Sequence, residues 1–263
     1  MDTISTQQDT VITLARDDGV AVLTLNRPKQ YNALSAGMLD AIHQALDELH
    51  DDKTVRVLVI ASNGQAFCAG HDLKELKAAN DPAFVQRLFQ QCSGMMLKIA
   101  RLPIPVIAEV RGMATAAGCQ LVAQCDLAVA ADHVKLAVSG VNLGLFCSTP
   151  AVPLSRTISR KRAAEMLMTG EFIDAATALD WGLVNRVVPA DQLRAETLAL
   201  AETLKAKPRD TLALGKALLY RQMEVGLEDA YRDASTTIAC NFMDANAQEG
   251  VAAFLNKRKP EWT

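Results

Sequence analysis

Two segments of the chain share one construction, and they constrain the fold more than any other feature. Residues 57–76 and 105–123 each begin with a continuous apolar run of strand length and pass through a turn of small residues into a helical pattern. Continuous apolar runs are typical of strands covered on both faces, as in parallel sheets flanked by helices. The two segments therefore predict an α/β fold.

A hairpin is predicted before these segments and a mainly helical region after them. VITLA (11–15) and VAVLTL (20–25) flank an Asp-Asp-Gly turn, and apolar residues recur at helical spacing over 38–49. The remaining predicted elements are a long helix over 82–100 and strands over 126–131, 133–138 and 183–188. Beyond Pro150 the pattern is mainly helical, so we divide the chain into a core, 1–196, and a helical C-terminal region, 197–263.

The composition excludes several classes of protein. The net charge of the 263 residues is −3, and the basic residues are scattered, which argues against binding to nucleic acid or to a membrane surface. No apolar run reaches the roughly 18 residues that a membrane-spanning helix needs. The first ten residues are polar and acidic, which argues against a targeting signal. Six cysteines without CxxC spacing predict reduced thiols, a cytoplasmic location and no metal site.

The small-residue turns suggest a binding site made of backbone. Small residues let a ligand approach the main chain closely, and the start of a helix leaves N–H groups without partners. Two such turns that face each other could direct two N–H donors at one oxygen, which is the geometry of an oxyanion hole. A dinucleotide site is the competing interpretation, but neither segment has GxGxxG spacing. Strand-to-helix turns rich in Gly and Ala are also common as purely structural features.

The chain resembles the enoyl-CoA hydratase/isomerase (crotonase) superfamily over nearly its whole length. The resemblance rests on collinear segments: LNRPKQYNALS (25–35), AFCAGHDLKEL (66–76), RGMATAAGCQLVAQCDLAVAAD (111–132), LGLFCSTPAV (143–152) and AATALDWGLVNRVVP (175–189). The tail FLNKRKPEWT matches as well. GLFCSTPA and FLNKRKP resemble one subgroup in particular, that of enoyl-CoA hydratase domain-containing protein 3.

The resemblance implies a fold, a ligand and an assembly. The fold is a ClpP-like spiral of ββα units with a C-terminal helical region that forms homotrimers, often paired as hexamers. The ligand is a CoA thioester, bound as a substrate, with no separate cofactor. The family's oxyanion donors are two backbone N–H groups, which fall here at His71 and Ala117. Alanine replaces the more usual glycine at 117, which keeps the main-chain donor and adds a methyl group.

The resemblance also implies where CoA lies. Lys29 and Tyr31 fall where the family supports the pantetheine and the nucleotide. Phe254 and Lys257 are tail positions that reach the CoA of a neighbouring subunit. The other positions implied to contact the substrate or CoA are Ala66, Ala69, Gly70, His71, Asp72, Leu73, Lys74, Met113 and Ala117.

Both catalytic glutamates of the family's hydratases are missing. Gln120 stands at the position of the first and Gly140 at that of the second. A glutamine can hydrogen-bond to water but cannot exchange a proton near neutral pH, whereas a carboxylate can. We therefore expect very weak or absent hydration of crotonyl-CoA.

Substitute groups for the missing acids are few. The imidazole of His71 has a suitable unperturbed pKa for a base, yet it could equally line the pocket while its N–H serves the oxyanion hole. Cys119 and Cys147 fall near the predicted acyl site, where buried cysteines usually only pack. Asp72 is interpreted as a helix cap or a loop anchor.

Two functions from different classes remain open. The first is an acyl-CoA enzyme, catalogued with the enoyl-CoA hydratases, whose thioester enolate could lead to decarboxylation, isomerisation or thioester hydrolysis. The second is an acyl-CoA-binding protein that retains the pocket, lacks the chemistry and modulates fatty-acid metabolism. Gln120 and Gly140 favour the second, while the small-residue turns fit either.

Overall fold

The hairpin predicted at the start of the chain is present. The computed structural model describes residues 10–262. The prediction that the first ten residues carry no targeting signal therefore lies outside the described residues, apart from Thr10. Strands β1 (Ile12–Asp17) and β2 (Val20–Leu25) pair antiparallel, with Asp17 opposite Val20. Asp18 and Gly19 form the turn with φ of 41° and 78°. Positive φ at both turn residues is what a two-residue hairpin requires.

The hairpin is the edge of a six-stranded sheet that forms the centre of the protein. Its order is β1-β2-β3-β5-β7-β10, and every pairing beyond the hairpin is parallel. The added strands are β3 (Val57–Ser62), β5 (Val106–Val110), β7 (Leu127–Ala131) and β10 (Arg186–Val188). All residues of β3 and β5 are buried. The predictions of strands from continuous apolar runs are therefore confirmed.

A second sheet of four short strands lies beside the first. It has the order β4-β6-β8-β9 and consists of β4 (Ala66–Cys68), β6 (Met113–Thr115), β8 (Lys135–Ala137) and β9 (Ile173–Asp174). Only β8 is covered by the sequence prediction. The other three have two or three residues each, which is too short for an alternation of apolar and polar residues to be recognised.

The chain alternates between the two sheets in a repeated order. The strands β3, β5 and β7 of the first sheet are followed by β4, β6 and β8 of the second, and each pair then leads into helices. These helices are α2 (Leu73–Ala79) with α3 (Pro82–Arg101), α4 (Ala117–Gln124), and α5 (Ser148–Thr157). This succession is the ββα arrangement expected from the resemblance. The turn after each second strand therefore lies at a corresponding place in successive units.

The two long helices predicted in the first hundred residues are present and their caps explain their starts. Helix α1 (Ala36–Asp51) begins after Ser35, whose hydroxyl accepts from the Met38 N–H, and its apolar stripe is buried. Helix α3 begins after Asp81, which accepts from two N–H groups, and has Pro82 in its first position. Both are standard helix-start signals.

Helices dominate the last hundred residues, as predicted. They are α6 (Arg160–Thr169), α7 (Ala175–Trp181), α8 (Leu193–Lys205), α9 (Arg209–Gln222), α10 (Leu227–Phe242) and α11 (Ala245–Leu255). Residue 196 lies inside α8, which packs on β3, β5 and β7 of the central sheet. The division of the chain at 196 stays a prediction.

Among helices of residues 10–262, none is long and apolar enough to cross a membrane.

A buried lysine attaches α9 to the core. The ammonium of Lys216 donates to the carbonyl oxygens of Ile99 (2.8 Å) and Ile104 (3.0 Å) and forms an ion pair with Asp126 at 2.7 Å. Asp126 also accepts from the Val106 N–H and the Tyr220 hydroxyl. A buried charge is tolerated only when it is paired and hydrogen-bonded in this way. These contacts give Asp126 a structural role.

Candidate active site

The two small-residue turns lie directly against each other. A Cβ added at Gly112 would overlap the Gln65 carbonyl, and one added at Gly118 would overlap the Cys68 carbonyl. Strands β4 and β6 pair in parallel between these points. Glycine is required at both positions because any side chain would separate the two backbones. The sequence order of strand, small residues and helix therefore places the ends of two units in contact.

Gly70 brings His71 close to the start of α4. It has a φ of 89°, and a Cβ built on it would lie 3.0 Å from the Ala116 Cβ and 3.3 Å from the Ala117 nitrogen. The Thr115 hydroxyl fixes the same contact by donating to the Ala69 carbonyl at 3.1 Å. The two positions implied as donors by the resemblance are thus in neighbouring segments of backbone.

The N–H groups of His71 and Ala117 have no partners among residues 10–262. The backbone of Leu34 pairs with the segment around His71: its N–H donates to the Gly70 carbonyl, and its carbonyl accepts from the Asp72 N–H. This pairing does not use the His71 N–H, which lies between those two bonds. Ala117 is the first residue of α4, where the N–H groups of a helix lack intrahelical acceptors. The preceding Ala116 has a φ of 48°, a strained conformation for alanine.

The two segments open into a cavity of about 380 Å³. Its lining includes Leu73, Leu76 and Phe89 from α2 and α3, together with Leu143, Leu145, Phe146 and Pro150. The backbone turns contribute Ala69, His71, Thr115, Ala116 and Ala117. Of the residues implied by the resemblance, the structure therefore brings Ala69, His71, Leu73, Ala117 and Gly140 into one cavity.

The side chain of His71 is held neutral in the cavity wall. Its ring contacts the Phe89 ring edge-on, with 4.7 Å between centroids, and neither ring nitrogen has a hydrogen-bond partner within residues 10–262. Burial lowers the pKa of the imidazole below its ordinary value of about 6.5. A neutral, unpartnered imidazole can accept a proton or bind a polar ligand atom, so both interpretations of this side chain remain open.

The two positions of the missing glutamates differ in their surroundings. Gln120 lies one turn into α4 from Ala117. It is only 3% exposed, and its Oε1 has no hydrogen-bond partner in the described part of the chain. Gly140 lines the cavity within a short 3₁₀ turn, Ser139–Leu143. A Cβ there would lie 2.5 Å from the Leu145 carbonyl oxygen and 2.8 Å from the Cys147 Sγ. The chain is therefore folded around a glycine at 140 and has no room for a side chain.

Three polar residues hold the His71 loop in place; the sequence assigned no role to Asn32 and Arg27, and it predicted Asp72 as a helix cap or loop anchor as well as a possible CoA contact. Asn32 is fully buried and donates to the Ala66 and Asn63 carbonyls, while its oxygen accepts from the Arg27 N–H. Arg27 bonds to the Ala33 carbonyl and forms an ion pair with Asp72 at 3.1 Å. Asp72 accepts from the first N–H groups of α2, as its interpretation as a helix cap predicts. Only Asp72 carried a recognisable sequence signal.

Most of the predicted CoA positions outside the cavity fall into three groups. Lys29, Tyr31 and Lys74 are exposed near the His71 loop, and the Tyr31 carbonyl accepts from the Ala69 N–H at 3.0 Å. Ala66 and Met113 are paired on β4 and β6. Phe254 and Lys257, by contrast, are exposed at the end of α11 and do not line the cavity.

The thiols near the cavity are unsuited to act as nucleophiles. Burial raises the pKa of Cys119 to about 12, and it also raises the pKa of Cys147. The Cys147 sulfur accepts from the Gly140 N–H at 3.3 Å. A nucleophilic cysteine needs a stabilised thiolate, which burial opposes. The packing role predicted for both residues agrees with this environment.

Comparisons with known proteins agree with the fold. The family model described as "Enoyl-CoA hydratase/isomerase" matches residues 15–263. The chain is 45% identical to mouse "Enoyl-CoA hydratase domain-containing protein 3, mitochondrial" over 248 residues, which are 94% of this chain and 83% of that protein. The structure is similar to a crystal structure of Mycobacterium smegmatis enoyl-CoA hydratase, with a TM-score of 0.94, 56% identity, and coverage of 96% of this chain and 98% of that one. It is also similar to a crystal structure of human enoyl Coenzyme A hydratase domain-containing protein 3, with a TM-score of 0.93, 44% identity, and coverage of 96% and 100%.

Proposed function

Because the chain belongs to the enoyl-CoA hydratase/isomerase (crotonase) family and resembles its domain-containing protein 3 subgroup, we propose that it is an enzyme acting on acyl-CoA thioesters. The N–H groups of His71 and Ala117 bind the thioester oxygen and stabilise it as an enolate. The observation that carries the proposal is that two unpartnered N–H groups lie in adjoining turns at one 380 Å³ cavity.

The energetics of such a pair support catalysis by the backbone alone. Each oxyanion donor contributes roughly 3–4 kcal/mol of transition-state stabilisation in well-studied enzymes. Ala117 is also the first residue of α4, where the helix dipole adds partial positive charge. An enolate formed there leads to decarboxylation, when CO2 is lost from Cα, or to isomerisation, when a proton is returned to a different carbon. In thioester hydrolysis the same two donors would stabilise the tetrahedral oxyanion that forms when water adds to the carbonyl carbon and that collapses with release of the CoA thiol.

CoA itself is proposed to lie along the turn that contains Lys29 and Tyr31. The hydrogen bond from the Ala69 N–H to the Tyr31 carbonyl supports this path, because it places that turn beside the loop that carries His71. Lys29 and Lys74 are exposed and positively charged, which suits a ligand that bears phosphates. Phe254 and Lys257 are proposed to reach this ligand from a second copy of the chain.

Ordinary hydration is not the proposed reaction. No aspartate or glutamate lines the cavity among the described residues, and Gln120 and Gly140 stand where the family's hydratases have their acids. General acid–base catalysis contributes typically 10²–10⁴-fold for each group. The imidazole of His71 is the one conventional general base in the described lining, since the Cys147 thiol is kept protonated by burial.

A second candidate is a catalytically weak acyl-CoA-binding protein that modulates fatty-acid metabolism. The lack of a carboxylate in the cavity lining favours it. A panel of enoyl-, malonyl-type, 3-hydroxyacyl- and acetoacetyl-CoA, followed by mass spectrometry, separates the two candidates. Turnover of any member supports the enzyme. Binding by calorimetry without turnover of any member supports the binding protein.

Substitution at Ala117 tests the placement of the thioester. Ala117 is 1% exposed, and Ala117→Val adds two methyl groups beside the proposed oxyanion donor. We expect acyl-CoA to bind at least about tenfold more weakly, since overpacking at such a site costs typically 1–3 kcal/mol. Ala123→Val on the same helix, away from the cavity, is the control. Equal affinity of the Ala117→Val variant and the wild type would contradict the placement.

Self-association and location complete the proposal. Large apolar side chains of α9 to α11 are exposed in the single chain, among them Leu227 (76%), Met243 (73%) and Phe254 (82%). Extended exposed apolar surface marks interaction sites, so we propose that these helices join copies into homotrimers or hexamers. Light scattering of the purified protein measures this directly.

A cytoplasmic location is proposed from the six free cysteines; the name of the mouse relative places that protein in mitochondria.

A further inference from the structure

We propose that the acyl group held in this cavity is an uncharged aliphatic chain of medium length, bound between the segment 143–146 and the wall formed by α2 and α3. This inference rests on the proposed binding of an acyl-CoA thioester and specifies its acyl part. Three properties of the cavity carry it: its size, the chemistry of its walls, and the exposure of the segment 143–146.

The size of the cavity sets the length of the chain. A volume of about 380 Å³ accommodates on the order of ten methylene-sized groups, if each occupies about the 30 Å³ that a water molecule takes in the liquid. The thioester end takes part of this space. A two-carbon acyl group would leave most of the apolar cavity unfilled, whereas a chain of about eight carbons would fill it.

The walls favour an uncharged chain. Large apolar side chains line the cavity, among them Leu73, Leu76, Phe89, Leu145 and Phe146. No lysine, arginine, aspartate or glutamate lines it within residues 10–262. The one histidine is kept neutral by burial, since its pKa is lowered. A terminal carboxylate on the acyl group would therefore be buried without a cation, which is strongly unfavourable. An alkyl terminus carries no charge to bury, and the lining offers it the apolar side chains named above.

The segment 143–146 is unusually exposed for its composition. Leu143, Leu145 and Phe146 are 64%, 55% and 55% exposed, although all three also line the cavity. Gly144 between them has a φ of 74° and open space around its Cβ position. Contiguous exposed apolar side chains at the rim of a cavity indicate a binding surface. An aliphatic chain that enters the cavity would cover the inner faces of these residues, whereas a short acyl group would leave them in water.

The test is an affinity series measured by calorimetry on the full chain. The probes are CoA, butyryl-CoA, octanoyl-CoA and the eight-carbon ester with a terminal carboxylate, suberyl-CoA. A fully buried methylene tightens binding about fourfold. We therefore expect octanoyl-CoA to bind at least about tenfold tighter than butyryl-CoA, and suberyl-CoA to bind no tighter than butyryl-CoA.

Variants locate the effect. Leu145→Ser and Phe146→Ser are expected to reduce the preference for octanoyl-CoA over butyryl-CoA by at least about threefold and to leave CoA affinity unchanged. Met168→Ser is the matched control, because Met168 is 70% exposed but lies on α6 and does not line the cavity. It is expected to change neither quantity.

The outcomes distinguish this inference from the proposed function. Equal affinity for butyryl- and octanoyl-CoA would overturn the inference, and so would an affinity for suberyl-CoA equal to that for octanoyl-CoA. In both cases the proposed binding of acyl-CoA still stands. If Leu145→Ser alters the oligomeric state but leaves the chain-length preference intact, the segment 143–146 belongs to an interface between copies, which also overturns the inference. If no CoA ester binds, the proposed function itself fails and the inference fails with it.

Discussion

A side chain at position 140 is predicted to disrupt the cavity wall rather than to restore a catalytic group. The Cβ of a residue placed there would lie 2.5 Å from the Leu145 carbonyl oxygen and 2.8 Å from the Cys147 Sγ. Both contacts are far inside van der Waals distance. The Leu145 N–H also donates to the Gly140 carbonyl at 3.0 Å, so the turn closes tightly around this residue. Relief of the clash requires movement of the backbone that forms one side of the cavity.

The clash comes from the Cβ alone, so Gly140→Ala and Gly140→Glu are expected to share it. Overpacking of this kind costs typically about 1–3 kcal/mol of unfolding free energy. For a chain of this size, 1 kcal/mol shifts the Tm by roughly 2–4 °C. Thermal and urea unfolding followed by circular dichroism measure the change. Gly37→Ala is the control, since a Cβ at Gly37 meets nothing within 4 Å.

Gln120 provides the contrast to Gly140. Gln120→Glu keeps the shape of the side chain, so the variant is expected to fold, with the pKa of the new carboxyl raised by burial. Gly140→Ala with wild-type stability would refute the steric reasoning. So would Gly140→Glu if it folded normally and raised the rate of crotonyl-CoA hydration.

Two further predictions concern the core and the cavity wall. Lys216→Met leaves Asp126 buried without its cation, so it is expected to lower the unfolding free energy by about 3–5 kcal/mol, measured in urea. A loss below about 1 kcal/mol would show that the ion pair contributes little. Burial lowers the pKa of His71 below its unfolded value of about 6.5. The neutral imidazole therefore contributes to stability above about pH 6.5, and this contribution is lost as the pH falls towards the pKa in the folded state. The wild type should therefore lose stability between pH 7 and pH 5 relative to His71→Gln, whereas His50→Gln at an exposed position should not change the pH dependence; parallel pH profiles for wild type and His71→Gln would contradict the assigned burial.

The larger elements of the fold could be predicted from the sequence because each carries a local signal. The hairpin turn needs positive φ at Asp18 and Gly19, and α1 buries a stripe of apolar residues at helical spacing. Strands β4, β6 and β9 could not be predicted, since two or three residues are too few to form a pattern. Their existence depends on contact between segments that are distant in sequence.

The candidate site was predictable on one side only. The turns around Gly70 and Ala117 can be recognised in the sequence because small residues precede a helical pattern in both. The opposite wall, which includes Leu145 and Phe146, looks in the sequence like ordinary core, because exposure is a property of tertiary packing. Asn32 likewise looks like a turn residue, although its buried amide joins three segments of backbone.

The most direct test of the proposed mechanism is the rate at which bound crotonyl-CoA is hydrated. With the wild-type protein in excess over substrate, all of the thioester is bound, and loss of the conjugated enoyl absorbance reports the chemical step alone. A typical enzyme turns over about 10 times per second, and loss of acid–base catalysis lowers the rate about 10²–10⁴-fold. We therefore predict binding with a hydration rate below about 0.1 per second. A rate of about 10 per second or more would contradict the account, because the described lining, with His71 as its one conventional base and no carboxylate, would then match the full acid–base catalysis of a hydratase.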